Sequence, residues 1–208
     1  WRQEEFSRSD LVKVSTDSKL TSKRSFKGFL VNCYEPVNIV LNQTRTRLQP
    51  QPGLFHFIYD YEQFIPDSEY TIVGIENPEN FRHIEKQKQL FRHLKPLFIS
   101  RYPQGQHADV IRWLQLIPNP YLHFGDYDFA GINIYLNEIK RYIPEKSTFF
   151  IHHYIEELLL LYGNYGRYDR QKLHIPAGGI QEEGLIELIK MIHRHKKGLD
   201  QEIFQAGL

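Results

Sequence analysis

The chain has 208 residues, enough for one large domain or for a domain of about 140 residues with a smaller appendage. Hydrophobic residues make up 41% of it and charged residues 25%, as in an average globular protein, which excludes disorder of the whole chain. Basic and acidic side chains nearly cancel at +1, so the net charge favours no class of partner. No apolar run is long enough to span a bilayer, and the single Cys33 excludes an internal disulfide and a cysteine-based zinc site. We therefore expect a cytoplasmic protein that does not contact membranes.

The start of the chain is polar. Residues 1–20 mix Ser, Thr, Asp and Arg, which predicts a poorly ordered leader without functional residues. The sequence begins at Trp1 and its only methionine is Met191, so we expect a trimmed or engineered piece of a longer protein.

The next segment has the composition of short strands. Residues 26–41 are rich in β-branched and aromatic residues and are interrupted at Pro36, which predicts two strands. A third strand is predicted at 54–61. We therefore predict a small N-terminal β-rich appendage at residues 1–68, followed by the main domain at residues 69–208.

In the main domain, predicted strands alternate with predicted helices. Apolar runs predict four strands, at residues 70–75, 97–100, 121–124 and 148–151. Helical spacing of apolar residues predicts helices at residues 78–95, 108–117, 129–143, 155–162 and 184–194. The first of these helices has Asn77 as its N-cap and Pro78 at its first position. Strands joined by crossover helices indicate an α/β fold, with a Rossmann-like parallel sheet flanked by helices.

Acidic side chains directly follow two of these strands. Glu76 follows the first strand, and Asp126 and Asp128 follow the third. Ligands of parallel α/β sheets bind beyond the carboxyl ends of the strands, so we expect the three carboxylates to converge there. Close carboxylates repel one another unless a cation neutralises them, and an oxygen-only ligand set favours Mg²⁺ or Mn²⁺ over zinc. Such a site suits phosphodiester chemistry. Taken alone, however, an Asp-x-Asp pair after a strand more often forms caps or turns.

The same residues carry a resemblance to a known family. Residues 121–134 read Tyr-Leu-His-Phe-Gly-Asp-Tyr-Asp-Phe-Ala-Gly-Ile-Asn-Ile. They resemble the Toprim domain of type IIB topoisomerase A subunits and of the nuclease subunit of the bacterial Wadjet plasmid-defence system. The Glu76-Asn77 pair is similar to a Glu-Asn pair of that nuclease, and Gln201-Glu202 is similar to a pair near its C-terminus. The resemblance covers residues 69–208.

The resemblance implies a Toprim fold and a DNA endonuclease that depends on Mg²⁺ or Mn²⁺, within a larger DNA-processing or plasmid- or phage-defence protein. It makes Glu76, Asp126 and Asp128 the metal ligands and catalytic residues, with Glu76 also transferring a proton. Glu79 and Glu202 are candidates for supporting these ligands without binding the metal. The expected partners are DNA and other subunits of such a complex. Topoisomerase strand passage is not expected, because the N-terminal segment is too short for the winged-helix domain that carries the cutting tyrosine.

A locally basic stretch adjoins the predicted site. Residues 81–112 contain seven Lys or Arg side chains and two acidic ones. The candidate nucleic-acid-binding residues are Lys86, Lys88, Arg92, Lys95, Arg101 and Arg112. A solvated helix face explains such a stretch equally well.

Two other functions are compatible with the pattern. A Toprim module without activity would keep the fold and bind DNA or a protein partner. A response-regulator-like domain would use Asp126 as a phospho-acceptor, but it needs an acidic pair at the end of the first strand, where this chain has Glu76 and Asn77. The enzyme is favoured because all three carboxylates are present.

Overall fold

The computed structural model describes residues 26–101 and 106–206, which form a mixed α/β structure with two sheets. Six strands form the main sheet and three form a small antiparallel sheet. The strands are β1 (Phe29–Cys33), β2 (Val37–Leu41), β3 (Thr44–Leu48), β4 (His56–Ile58), β5 (Phe64–Pro66), β6 (Thr71–Ile75), β7 (Pro96–Ser100), β8 (Tyr121–Phe124) and β9 (Ser147–Phe149).

The main sheet is mixed, whereas the sequence predicts a parallel one. Its order is β4-β1-β7-β6-β8-β9. The four strands of the predicted main domain, β6 to β9, are parallel, and β1 joins them antiparallel to β7. The predicted N-terminal segment therefore contributes β1 and β4 to the main sheet, and its remaining strands form the small sheet. The reason is burial, since Phe29, Val31 and Cys33 alternate along β1 and are all buried.

The helices flank this sheet. They are α1 (Pro78–Arg82), α2 (His107–Leu116), α3 (Phe129–Ile134), α4 (Ile155–Tyr162), α5 (Tyr165–Arg170) and α6 (Glu183–His195). Three 3₁₀ segments lie at Tyr61–Gln63, Ile84–Phe91 and Gln201–Ala206, and a π-helical turn at Tyr135–Lys140 continues α3. Among the described helices, none combines the length and the hydrophobicity that a membrane crossing requires.

The helix predicted at residues 78–95 is broken. Its predicted start is confirmed, because Asn77 Oδ1 accepts the N–H of Glu79 at 2.8 Å and Pro78 is the first helical residue. The α-helix ends at Arg82 and a 3₁₀ segment follows. Gln87 stabilises this break in the helix, because its side-chain Nε2 donates to the backbone carbonyls of Asn80 and His83. Apolar spacing does not reveal such side-chain to backbone bonds.

Both sheets share one core around Trp113. Its ring packs on Phe29 of the main sheet at 4.8 Å and on Phe64 of the small sheet at 5.5 Å between centroids. Its indole N–H also donates to the carbonyl of Phe64 at 2.7 Å. The core thereby fixes the strands whose carboxyl ends carry the candidate site.

Candidate functional site

An open cleft of about 560 Å³ lies at the carboxyl ends of β6, β7 and β8. It is lined by Glu76, Asn77, Pro78, Arg101, His107, Asp126, Ile134 and Glu138. Glu76 and Asp126 follow neighbouring parallel strands, and their side chains are 19% and 23% exposed. Two of the three predicted carboxylates thus share one cleft.

Asp128 has different surroundings. Its side chain is 1% exposed, and Oδ1 accepts the N–H of Gly131 at 2.9 Å, which makes Asp128 the N-cap of α3. Its Oδ2 accepts hydrogen bonds from Arg167 at 2.5 Å and Gln171 at 2.9 Å. Both carboxylate oxygens are therefore bound by the protein, and Asp128 is not among the residues that line the cleft.

Arg167 supplies a positive charge that the sequence pattern does not predict. Its Nη1 lies 3.3 Å from Asp126 Oδ2 and also binds Asp128, while its Nη2 contacts Asp200. One guanidinium from α5 therefore joins three aspartates. The only sequence signal is the expectation that converging carboxylates need a cation, and that expectation does not distinguish an arginine from a metal ion.

Burial raises the pKa of Asp126 to about 6. The N–H of Gln201, which donates to Asp126 Oδ1 at 2.8 Å, opposes this shift, as does the charge of Arg167. The negative charges of Glu76 and Asp128 raise the pKa further. Asp126 is consequently ionised at neutral pH and takes up a proton in mildly acidic solution.

The C-terminal 3₁₀ segment braces the ends of β6 and β8. Gln201 is fully buried, and besides binding Asp126 it donates from Nε2 to the carbonyl of Phe124 and accepts the N–H of Asn77. Glu202 accepts a hydrogen bond from Asn77 Nδ2 at 2.8 Å, so this predicted supporting residue contacts the neighbour of Glu76. Gln201 and Glu202 thereby hold together the ends of two strands that lie far from them in the sequence.

The other predicted supporting residue, Glu79, binds elsewhere. Its carboxylate lies 3.6 Å from His83 and 3.9 Å from Arg82, on its own helical turn. It is not among the residues that line the cleft. Glu79 therefore serves as a matched control for the carboxylates that do line it.

Glu76 adjoins a buried histidine. His123 Nε2 lies 3.5 Å from Glu76 Oε2, and His123 Nδ1 lies 3.2 Å from the hydroxyl of Tyr121. Glu76 Oε2 and His123 Nε2 are both buried and make no hydrogen bond among the described residues. Burial lowers the pKa of His123, so the ring is neutral at neutral pH.

Arg101, His107 and Glu138 form the other wall of the cleft. Arg101 follows β7, its side chain is 9% exposed, and its Nη2 contacts Glu138 Oε2. His107 Nε2 lies 3.7 Å from the same oxygen. Burial lowers the pKa of His107, and the charge of Arg101 lowers it further, so His107 is neutral at neutral pH.

The six predicted nucleic-acid-binding residues lie in three places. Four are exposed on or next to the 3₁₀ segment Ile84–Phe91, namely Lys86, Lys88, Arg92 and Lys95. Arg101 lines the cleft, and Arg112 is exposed on α2. Lys95 is paired with Glu69 at 2.6 Å, which leaves Lys86, Lys88 and Arg92 as the basic group on this segment. The structure thus places the predicted basic residues in three separate regions and not on one face.

The donor set fits a cation held by two carboxylates. The side chains of Glu76 and Asp126 both line the cleft. Mg²⁺ is commonly bound by one or two carboxylates, with water and substrate phosphate completing its shell. Across residues 26–101 and 106–206, no three His, Cys, Asp or Glu side chains form a metal-binding group. Because both oxygens of Asp128 accept hydrogen bonds from the protein, Glu76 and Asp126 are the candidate ligands.

The chain belongs to the family described as a domain of unknown function, DUF7281, which it matches over residues 29–206. No curated protein matches the chain. The matched span begins at β1 and ends with the C-terminal 3₁₀ segment, so it includes both sheets and the whole cleft.

Proposed function

We propose that this DUF7281 domain is a Toprim-type phosphodiester-cleaving domain that depends on Mg²⁺ or Mn²⁺ and acts on DNA within a larger DNA-processing or defence protein. The observation that carries the proposal is the placement of Glu76 and Asp126 in one open cleft, at the carboxyl ends of neighbouring parallel strands. This is where an open α/β sheet binds its ligand.

The glycines of the Gly-Asp-x-Asp-x-x-Gly pattern support the proposal. A Cβ atom on Gly125 would lie 2.5 Å from Glu76 Oε2 and 2.8 Å from His123 Nε2. A Cβ atom on Gly131 would lie 2.3 Å from the carbonyl oxygen of Asp126. Both glycines are therefore needed for close packing around the two carboxylates.

The roles of the residues follow from their surroundings. A divalent ion held by Glu76 and Asp126 would polarise a phosphodiester and stabilise the leaving oxygen. Glu76 is the candidate to accept a proton from the attacking water, since its side chain lines the cleft next to Asp126. Asp128 and Arg167 position Asp126 and do not bind the ion.

The test combines metal binding with DNA cleavage. Mn²⁺ binding is measured by electron paramagnetic resonance, and cleavage by plasmid nicking, for the wild type, Glu76→Gln and Asp126→Asn. The exposed Glu79→Gln is the matched control. We expect Asp126→Asn to lose both Mn²⁺ binding and nicking. Glu76→Gln should lose nicking and retain part of the Mn²⁺ binding, and Glu79→Gln should behave as the wild type. Nicking that persists in Asp126→Asn and in chelator would refute the proposal.

A second candidate function is a binding module without activity. Arg167 neutralises Asp126 and Asp128 in the absence of any metal, so the carboxylate cluster is stable as a structural feature. Such a module binds DNA or a protein partner through its surface. DNA binding without Mn²⁺ binding would favour this candidate over the nuclease.

A further inference from the structure

The wall of the cleft that Arg101 and His107 form contains polar atoms without partners. Arg101 Nε and His107 Nδ1 are buried atoms that make no hydrogen bond among the described residues. Arg101 is nine-tenths buried and lines the cavity that also contains Glu76 and Asp126. Burying a guanidinium costs free energy unless its N–H groups form hydrogen bonds, so the unpaired Nε of Arg101 is a candidate to bind a ligand.

The contact with Glu138 leaves room for such a ligand. Glu138 binds Arg101 through Nη2, but its side chain is 42% exposed while that of Arg101 is 9% exposed. An exposed carboxylate can turn into solvent at little cost, whereas the buried guanidinium keeps its place. A ligand oxyanion can therefore replace Glu138 on Arg101.

We propose that Arg101 and His107 bind a non-bridging oxygen of the phosphodiester group in this cleft. The inference rests on the proposed function, because it concerns the substrate phosphate of the same site. A guanidinium presents donors in a planar fork that matches two phosphate oxygens. The helix α2 begins at His107, and the positive end of its dipole adds to the attraction.

The charges in the cleft make this binding dependent on the metal. Three carboxylates, Glu76, Asp126 and Glu138, line the cavity together with one guanidinium. An anion is therefore repelled until a divalent cation is bound. Neutralising Glu138 removes one negative charge and also frees Arg101.

The test uses inorganic phosphate as the probe, titrated by calorimetry in Mn²⁺ and in chelator. Arg101→Gln is expected to weaken phosphate binding in Mn²⁺ at least tenfold without weakening Mn²⁺ binding. Glu138→Gln is expected to tighten phosphate binding severalfold and to make it measurable in chelator. Arg141→Gln, an exposed base outside the cleft, is the control and should leave phosphate binding unchanged.

Thermal melts check that each variant is folded. If Arg101→Gln does not fold, Glu138→Gln decides, and phosphate affinity equal to that of the wild type overturns the inference. Equal affinity of Arg101→Gln and Arg141→Gln overturns it as well. If Mn²⁺ does not bind the wild type, the proposed function fails. Phosphate binding by Glu138→Gln in chelator would then still support Arg101 as a phosphate-binding residue, and its absence would overturn both proposals.

Discussion

Asp126 and Asp128 lie two residues apart and have different surroundings. Asp126 lines the cleft, and Asp128 caps α3 with one oxygen and binds Arg167 and Gln171 with the other. Repulsion among three carboxylates alone would make the loss of either aspartate neutral or stabilising. The guanidinium of Arg167 reverses this expectation for Asp128.

Replacing Asp128 should therefore destabilise the fold. Asp128→Ala removes the cap of α3, one of the three carboxylate partners of Arg167 and the acceptor of Gln171, at a cost of about 2–4 kcal/mol in the free energy of unfolding. Asp128→Asn keeps an oxygen for the cap and should cost less. Urea unfolding of both variants measures the difference, and an Asp128→Ala protein as stable as the wild type would show that these bonds contribute nothing.

The raised pKa of Asp126 makes stability depend on pH. The folded-state pKa of about 6 exceeds that of the unfolded chain, so the folded protein binds the extra proton. The associated stability is present below about pH 4 and is lost as pH rises through about 6. In chelator, Asp126→Asn should therefore gain on the wild type by on the order of 1–3 kcal/mol between pH 4 and pH 7. Parallel stability profiles of the two proteins over this range would contradict the assignment.

Among the elements, the 3₁₀ segment Ile84–Phe91 is the proposed DNA-binding surface. Lys88 is exposed on this segment and Arg92 is exposed directly after it, whereas Arg112 is exposed on α2. For each DNA phosphate that a variant no longer neutralises, the log-log salt dependence of duplex binding should flatten by about 0.9. We expect Lys88→Glu with Arg92→Glu to weaken binding and flatten the slope, and Arg112→Glu to do so less. Fluorescence anisotropy over a salt series measures both. An unchanged slope in the double variant would exclude this segment.

Elements with continuous apolar runs were predictable from the sequence, and long-range pairing was not. β6 and β8 lie within one residue of their predicted bounds, because buried parallel strands are apolar throughout. β3 was missed because four of its five residues are exposed. The place of β1 depends on Val31 pairing with Ile99, and Arg167 reaches Asp128 across 39 residues. Neither contact can be recognised from the residues that neighbour it in the sequence.

At the scale of the molecule, the two predicted segments share one core. β1 lies between β4 and β7, and Trp113 of the main domain packs on Phe29 and Phe64. A fragment that starts at residue 69 would leave Trp113 without these two rings and expose an edge of β7. We expect it to lack a cooperative thermal transition. A sharp transition of the fragment by calorimetry would show instead that residues 69–208 fold alone.

The proposed function requires that Glu76 and Asp126 together hold a divalent cation. Its most direct test is the anomalous diffraction of crystals soaked in Mn²⁺ at neutral pH, where Asp126 is ionised. We expect an anomalous peak in the cleft, within bonding distance of both carboxylates and lost in crystals of Asp126→Asn. A fully soaked crystal with no peak there, or with a peak that Asp126→Asn retains, would contradict it.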